Sequence, residues 1–471
     1  MSTIPISPAE IVSEKTHQIA VTEHFFDVPK DYSEPSKGTI RLFARSVQKN
    51  ESPIIVPPAN PKKTSKDEQQ QQQQQLPWML FLNGGPGLPC RSPQHYPFTH
   101  RVLEAGYRLL FLDQRGTGLS TPVTASTLQM RGYEDVQARY LKLYRADSIV
   151  RDCEAIRKAL TADYEGEGHE ERRKWSTMGQ SFGGFCTVTY LSFYPEGLRE
   201  CFLFGGLQPL VKSPDEVYKR LYVKVKERNE AYYAKYPEDV DRVKTITRYL
   251  SRFGDGKIKL PSEGNLTRRR FQQIGIALGF HGGLDSVHDV VLKGSYDIEA
   301  FGHLTRGTLS AIDHMSAFDD HLLYAIMHEP IYCEGTAPNW SAHRMQQNFA
   351  EFNLDREDGG PIYFTGEMIY PWMFEDYAEL RKVQDVANRV ASDPDWPALF
   401  DEDQLARNEV PVYAASYIED MYVDTEFAME TAKKIRGCKV FSTNVLFHDA
   451  IRSKMDEVLR QAFALRDDVH D

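Results

Sequence analysis

The sequence predicts an α/β fold: a mostly parallel sheet covered by helices on both faces, with a large helical insertion before its last strands. Three observations predict it. Short apolar runs such as "WMLFL" (Trp78–Leu82) and "YRLLFL" (residues 107–112) recur, as expected of buried parallel strands. Helical segments alternate with these runs, and that alternation implies a parallel sheet with helices on either side. One serine stands between glycines in "TMGQSFGGF" (residues 177–185), where a strand pattern gives way to a helix pattern.

Taken in order, residues 17–48 hold "IAVTEHFFDV" and "TIRLFARSV", β-branched and aromatic stretches that read as antiparallel strands at a sheet edge. Residues 60–76 follow, with seven consecutive glutamines from Gln69 to Gln75 beside lysines and acids. Nothing there can be buried, so a disordered loop without a role is expected. After the strands at 78–82 and 107–112, "SIVRDCEAIRKAL" sets Ile149, Cys153, Ile156 and Leu160 on one helical face. "KWSTM" and "CFLFGG" (residues 201–206) read as the next two strands. From Leu207 the chain turns to long charged and aromatic segments that read as amphipathic helices. "VPVYAASYI" (410–418) and "CKVFSTN" (438–444) then restore the strand pattern, and "AIRSKMDEVLRQAFAL" closes with a helix. The expected organisation is a core at 1–206, a helical cap at 207–405 and the rest of the core at 406–471. An insertion of about 200 residues is large enough to form a domain.

Composition narrows the function. The 471 residues are 41% hydrophobic and 26% charged, with a formal net charge of -11. That balance disfavours nucleic acid as a partner, because the overall field repels phosphate. The six cysteines lie far apart, and no pair has CxxC spacing, so neither a zinc site nor a disulfide framework is expected. There is no secretory leader pattern at the start and no run of about 18 apolar residues. The expected setting is cytoplasmic, away from membranes.

The chemistry centres on Ser181. A Gly-x-Ser-x-Gly match arises by chance in roughly one chain of this length in eight. The context adds weight: strand, sharp turn and helix are what a nucleophile elbow needs, and the helix N-terminus favours developing negative charge. A serine nucleophile also needs a base and an acid to orient it. Asp420 follows the strand at 410–418 and His448 follows the last strand. Both fall in loops at the carboxyl ends of strands, where open α/β sheets bind ligands. Glu419, Asp424 and Asp449 compete for the acid's role; Asp420 ranks above Asp424 because it lies nearer the strand end. "FLNGGPGLP" follows the strand at 78–82, and its glycines can present backbone N–H groups. One of these with the N–H of Phe182 would hold an oxyanion. "FLDQRGTGLS" reads as a supporting loop organised by Asp113, Gln114 and Arg115.

"NGGPGLP", "DQRGTGLS" and "GQSFGGF", with Asp420 and His448, resemble the proline iminopeptidases, prolyl aminopeptidases of serine peptidase family S33. The resemblance spans nearly the whole chain, and the length matches a larger fungal and actinobacterial subgroup. It implies an α/β-hydrolase fold with a helical cap, and release of N-terminal proline from short peptides through a prolyl-enzyme. It further implies Ser181 as nucleophile, His448 as base, Asp420 as orienting acid, and Gly85 and Phe182 as oxyanion donors. "YAIMHEPIYCEG" and "YFTGEMIYPWMFEDY" resemble cap elements that offer Glu329 and Glu367 to the substrate's amine. Carboxylates suit that task through charge-assisted hydrogen bonds. If these two lie close together they would repel, and one would keep its proton to higher pH. Tyr370 and Trp372, with Phe374, could wall a proline-sized pocket or simply pack the cap. The chain departs from the family pattern at Asn83, where many relatives have His, and at Gln180 and Phe182, where small bacterial relatives have Gly and Trp.

No metal or organic cofactor is implied, and a homo-oligomer is compatible with the sequence. Two rivals share the fold: an esterase, amidase or acyl transferase with another pocket, and a binding protein without catalysis. The co-occurrence of Ser181, Asp420 and His448 argues against the second.

Overall fold

Nine strands form one sheet in the order β1-β2-β3-β5-β4-β6-β7-β8-β9 in the computed structural model. It describes residues 14–15, 19–49, 76–164, 168–254, 256–356 and 358–468. The glutamine-rich segment read at 60–76 lies outside the described residues, except for Leu76. The strands are β1 (Glu14–Lys15), β2 (Ile19–Pro29), β3 (Thr39–Lys49), β4 (Trp78–Leu82), β5 (Arg108–Asp113), β6 (Trp175–Gln180), β7 (Leu198–Phe204), β8 (Val412–Tyr417) and β9 (Cys438–Thr443).

The first three strands pair antiparallel, and β3 joins the rest antiparallel to β5. From β5 onward every pairing is parallel. Leu82 pairs with Gly179, Gln180 with Phe204, and Phe204 with Ala415. The carboxyl ends of β4, β6, β7 and β8 therefore finish along one edge, and the loops after them are neighbours.

Side chains alternate across the sheet with period two. Leu80, Leu82, Leu110, Leu112, Leu203 and Ala414 join one apolar layer; Met79, Phe81, Leu109, Phe111, Phe202 and Ala415 join the other. Helices α1 (Ala146–Leu160) and α2 (Phe182–Phe193) cover the first layer. α1 buries Ile149, Cys153 and Ile156. The closing segment covers the second layer as two helices, Ala450–Ser453 and Met455–Asp467, rather than the single one its pattern predicts. Lys454 leaves helical geometry at φ -135° and ψ 38°, and Ile451 and Val458, on either side of it, join the same layer.

α2 begins at Phe182, three residues before the pattern expects a helix. Two glycines, poor helix formers, lie in its first turn. Packing overrides propensity there: a Cβ on Gly183 would lie 1.9 Å from the Leu82 carbonyl, and one on Gly184 2.4 Å from the Gly206 carbonyl. Only glycine lets this helix sit so close to β4 and β7.

Between β7 and β8 the described residues form helices and short 3-10 turns, with one isolated antiparallel bridge between Lys259 and Asn265. The longest helix, α3 (Pro214–Lys235), starts at the side chain of Ser213, which accepts from the Asp215 N–H, and has proline at its first position. It buries Val217, Tyr218, Leu221, Tyr222, Val225 and Tyr232. Two short helices of this region, α4 (Leu322–Met327) and α5 (Ser341–Gln346), lie beside Glu329 in the chain. Their apolar residues are continuous with the layer over α1 and α2, so the helical region and the sheet share one core.

Candidate active site

Ser181 sits between β6 and α2 with φ 54° and ψ -124°. A non-glycine residue at positive φ is strained, and such strain persists only where the surroundings fix it. Here the Ser181 N–H donates to the Phe204 carbonyl (3.0 Å), and the Ser181 carbonyl accepts from Gly184 (2.8 Å). A Cβ on Gly179 would lie 2.4 Å from the Gly183 carbonyl, so strand and helix meet too closely for any larger residue. Phe182 opens the helix, and its N–H is among those with no intrahelical acceptor. The upstream glycine loop closes over the turn: a Cβ on Gly84 would stand 3.1 Å from the Cβ of Ser181. Gly85, at φ 134°, belongs to the same loop.

His448 and Asp420 meet through a 2.7 Å contact between Nδ1 and Oδ2. The other Asp420 oxygen accepts the N–H groups of Tyr422 (2.8 Å) and Val423 (3.0 Å), so the carboxylate is oriented by its own loop. Burial alone would push the His448 imidazole down; the Asp420 carboxylate outweighs it, and the pKa is raised from the ordinary value. Gly205 and Gly206, adjacent after β7, tie this pair to the elbow. A Cβ on Gly205 would touch His448 Nδ1 at 3.1 Å, and one on Gly206 would meet the Ser181 carbonyl at 2.6 Å. The competing acids are engaged elsewhere: Asp424 caps the helix Thr425–Lys434 through the Phe427 N–H, and Asp449 pairs with His281 at 2.7 Å. Glu419 is half-buried.

The supporting loop is built as its residues suggest. Asp113 accepts from the N–H groups of Cys90 and Leu119, and Gln114 donates to the Asn83 carbonyl. Arg115 forms a buried ion pair with Asp152 of α1 (2.6 Å). Arg452, which the sequence does not single out, donates to Asn83 Oδ1 and Gln180 Oε1, both at 3.1 Å, and so joins the glycine loop to the elbow.

The two cap carboxyls differ. Glu329 caps α5, its two oxygens accepting the N–H groups of Ser341 (3.0 Å) and Ala342 (2.9 Å). Burial nevertheless raises its pKa to about 8 against those bonds. Glu367 accepts from the hydroxyl of Tyr324, and burial raises its pKa to about 7. Asp420 pushes the Glu367 value up and His448 pulls it down, so Glu367 senses the pair at the sheet edge. Neither glutamate is among the charges that shift the other; burial, rather than mutual repulsion, keeps their protons on. Tyr370 and Trp372 stack on each other (5.3 Å between ring centres). Tyr370 shares a 2.9 Å hydrogen bond with Tyr222, and Trp372 lies under Arg269, so their described partners belong to the cap.

Two further groups were not legible as site residues. His328 is buried, with no hydrogen-bond partner at either ring nitrogen, and its Nε2 stands 3.8 Å from Glu367 Oε2. Tyr218 of α3 has a buried, unpartnered hydroxyl and senses both Glu329 and Glu367. Their signal is a missing partner, which exists only once the fold does.

A family model described as the alpha/beta hydrolase fold matches residues 77–245. A proline iminopeptidase, aneH, of Aspergillus aculeatus is 43% identical over 467 residues, which cover 98% of this chain and 98% of that protein. A proline iminopeptidase of Aeromonas sobria is 36% identical over 464 residues, 98% of this chain and 99% of that one. Among solved structures, a proline iminopeptidase of Mycobacterium smegmatis aligns with 94% of this chain and 98% of its own at a TM-score of 0.40 and 12% identity.

Proposed function

The chain belongs to the proline iminopeptidases, hydrolases of the α/β-hydrolase fold, and from that premise we propose that it releases proline from the N-terminus of short peptides as a serine aminopeptidase. Ser181 attacks the carbonyl of the first residue while His448 Nε2 takes its proton. Asp420 holds the imidazole by its other nitrogen and stabilises the imidazolium that forms. The N–H groups of Gly85 and Phe182 receive the oxyanion. His448 returns the proton to the leaving amine, and water then hydrolyses the prolyl ester of Ser181 by the same route.

The helical stretch 207–405 serves as the cap and carries recognition. Glu367 meets the positive amine of the substrate, Glu329 holds α5 and the pocket wall in place, and the Tyr370–Trp372 stack lines the apolar side. The observation that carries this reading is the buried His448–Asp420 pair (2.7 Å), packed through Gly205 and Gly206 against the Ser181 turn, with the buried Glu367 carboxyl within electrostatic reach of His448. In a prolyl substrate the amine nitrogen is two bonds from the attacked carbonyl carbon. The group that binds the amine must therefore lie close enough to the base to sense its charge.

The test compares free and N-acetylated Pro-β-naphthylamide, with fluorophosphonate labelling of the wild type and Ser181→Ala. An aminopeptidase turns over the free substrate and loses nearly all activity on the blocked one; labelling disappears in Ser181→Ala. Equal turnover of both substrates would favour an esterase, amidase or acyl transferase instead.

A further inference from the structure

Resting on the aminopeptidase reading, we propose that His328 is a second substrate-binding group, whose ring nitrogen accepts one N–H of the prolyl ammonium while Glu367 accepts the other. The argument begins with an unpaid hydrogen-bonding capacity. A buried polar group without a partner costs about 1–3 kcal/mol, yet both nitrogens of His328 lack one. The ring is nevertheless held firmly. It stacks on Tyr324 at 5.2 Å with the planes 2° apart and meets Tyr332 edge to face. Tyr324 itself donates to Glu367, so the ring and the carboxyl are fixed by the same residue.

The spacing then selects the missing partner. The 3.8 Å between His328 Nε2 and Glu367 Oε2 is too long for a direct hydrogen bond. A nitrogen placed about 2.8 Å from both atoms would see them about 85° apart, narrower than the roughly 109° between two N–H bonds on one ammonium by an amount that bending each hydrogen bond by about 12° takes up, within the range above 150° that hydrogen bonds prefer. Protonated proline offers two N–H bonds on its ring nitrogen. Burial drives the His328 pKa down to about 4, so the ring is neutral and retains a lone pair; the Glu367 carbonyl draws the ring's one proton without closing a bond. A neutral imidazole also avoids repelling the cation that it receives. The site adjoins the glycine loop, since a Cβ on Gly87 would stand 2.8 Å from the backbone N of Tyr324, and the same Glu367 carboxyl is within electrostatic reach of His448.

The test uses two substrates and the variants His328→Phe and His328→Gln. Pro-β-naphthylamide carries the amine; p-nitrophenyl cyclopentanecarboxylate presents the same ring without it. Phe keeps the stack on Tyr324 and removes the acceptor, whereas Gln keeps an acceptor. His328→Phe is expected to lower kcat/KM for the prolyl substrate roughly 10- to 100-fold, mostly through KM, and to leave the ester within about twofold. His328→Gln should recover most of the loss. An equal fall on both substrates would mark a purely structural role and overturn the proposal, as would no change on either. Should His328→Phe fail to fold, N-methylprolyl-β-naphthylamide tests the wild type, since its cation has a single N–H. A loss of similar size is expected, and turnover equal to that of the prolyl substrate would overturn the proposal. If the wild type shows no preference for the free amine, the aminopeptidase reading fails with it; if that preference stands and His328→Phe is indifferent, only the His328 assignment falls.

Discussion

At the carboxyl edge of the sheet, Asp420 is 1% exposed and every hydrogen bond it needs is already made, by two backbone N–H groups and by His448. In the cap, Glu367 is 8% exposed and has one hydroxyl donor, beside an imidazole whose ring nitrogens close no hydrogen bond. Both regions bury a carboxyl, and the surroundings treat them in opposite ways. The first is organised in advance and stabilises a charge on its neighbour. The second is left short of a positive partner, and its proton stays on to about pH 7 because nothing built into the chain replaces water there. A site completed in advance suits a step that every turnover repeats; a site left incomplete suits a group that arrives with the substrate.

The largest effect expected from this contrast is at Asp420. Asp420→Asn keeps the shape but places a donor where His448 Nδ1 must donate, which turns the imidazole to the wrong tautomer. A loss of about 10⁴ in kcat is expected, with little change in KM. Asp424→Asn is the comparison, because Asp424 caps a helix instead. It should cost at most about 1 kcal/mol of stability and leave kcat near the wild-type value. If the two variants lost activity equally, Asp420 would have no special part in the chemistry.

The next effect, roughly 10- to 100-fold at neutral pH, belongs to Glu367→Gln. It should show most clearly in the pH profile of kcat/KM, which reports the free enzyme. Both Glu367 and His448 must lose a proton for the proposed reaction: one to hold a cation, the other to accept from Ser181. The Glu367 value is raised to about 7 and the His448 value is raised as well, so activity should fall as pH drops through 7, with two protons taken up. Glu367→Gln removes one of them and also the negative charge that raises His448. Its acid limb should be half as steep and lie at lower pH. An unchanged limb would show that Glu367 does not titrate in this range or does not act on the amine.

The two regions also differ in how far they could be read from sequence. The sheet was legible because strands buried on both faces must be apolar throughout, as β4 is, and because a helix that touches β4 at Gly183 must carry glycine. The positions of Ser181, Asp420 and His448 follow from the same logic, since loops after parallel strands share one edge. The start of α2 was not legible: glycines read as a turn, and only the contact with the Leu82 carbonyl makes them part of a helix. The cap was harder still. Glu329 and Glu367 look alike in the chain, yet one caps α5 and the other accepts from Tyr324 beside His328. His328, next to Glu329 in sequence, carries no local signature, because its distinguishing property is an absent neighbour.

The smallest effect concerns stability and separates the two cap carboxyls from Asp420. For Glu329, burial opposes the two backbone N–H bonds and wins, giving a folded pKa of about 8 against an ordinary value near 4.5. Below pH 4.5 the group is protonated in both states and adds no slope. Between 4.5 and 8 the folded state keeps a proton that the unfolded state has lost, so stability falls as pH rises, by on the order of 1 kcal/mol per pH unit. Glu367 contributes the same sign up to about pH 7. Asp215 adds to the Glu329 shift and Arg344 offsets it, so salt should change the slope only slightly. In Glu329→Gln the absolute melting temperature should drop, because an amide offers one acceptor to two N–H donors. Its decline between pH 5 and 8 should nevertheless be shallower than the wild type's, by about 1–2 °C per pH unit. A parallel decline in the two proteins would mean that the backbone N–H groups outweigh burial and that Glu329 is ionised throughout, a prebuilt carboxylate of the same kind as Asp420.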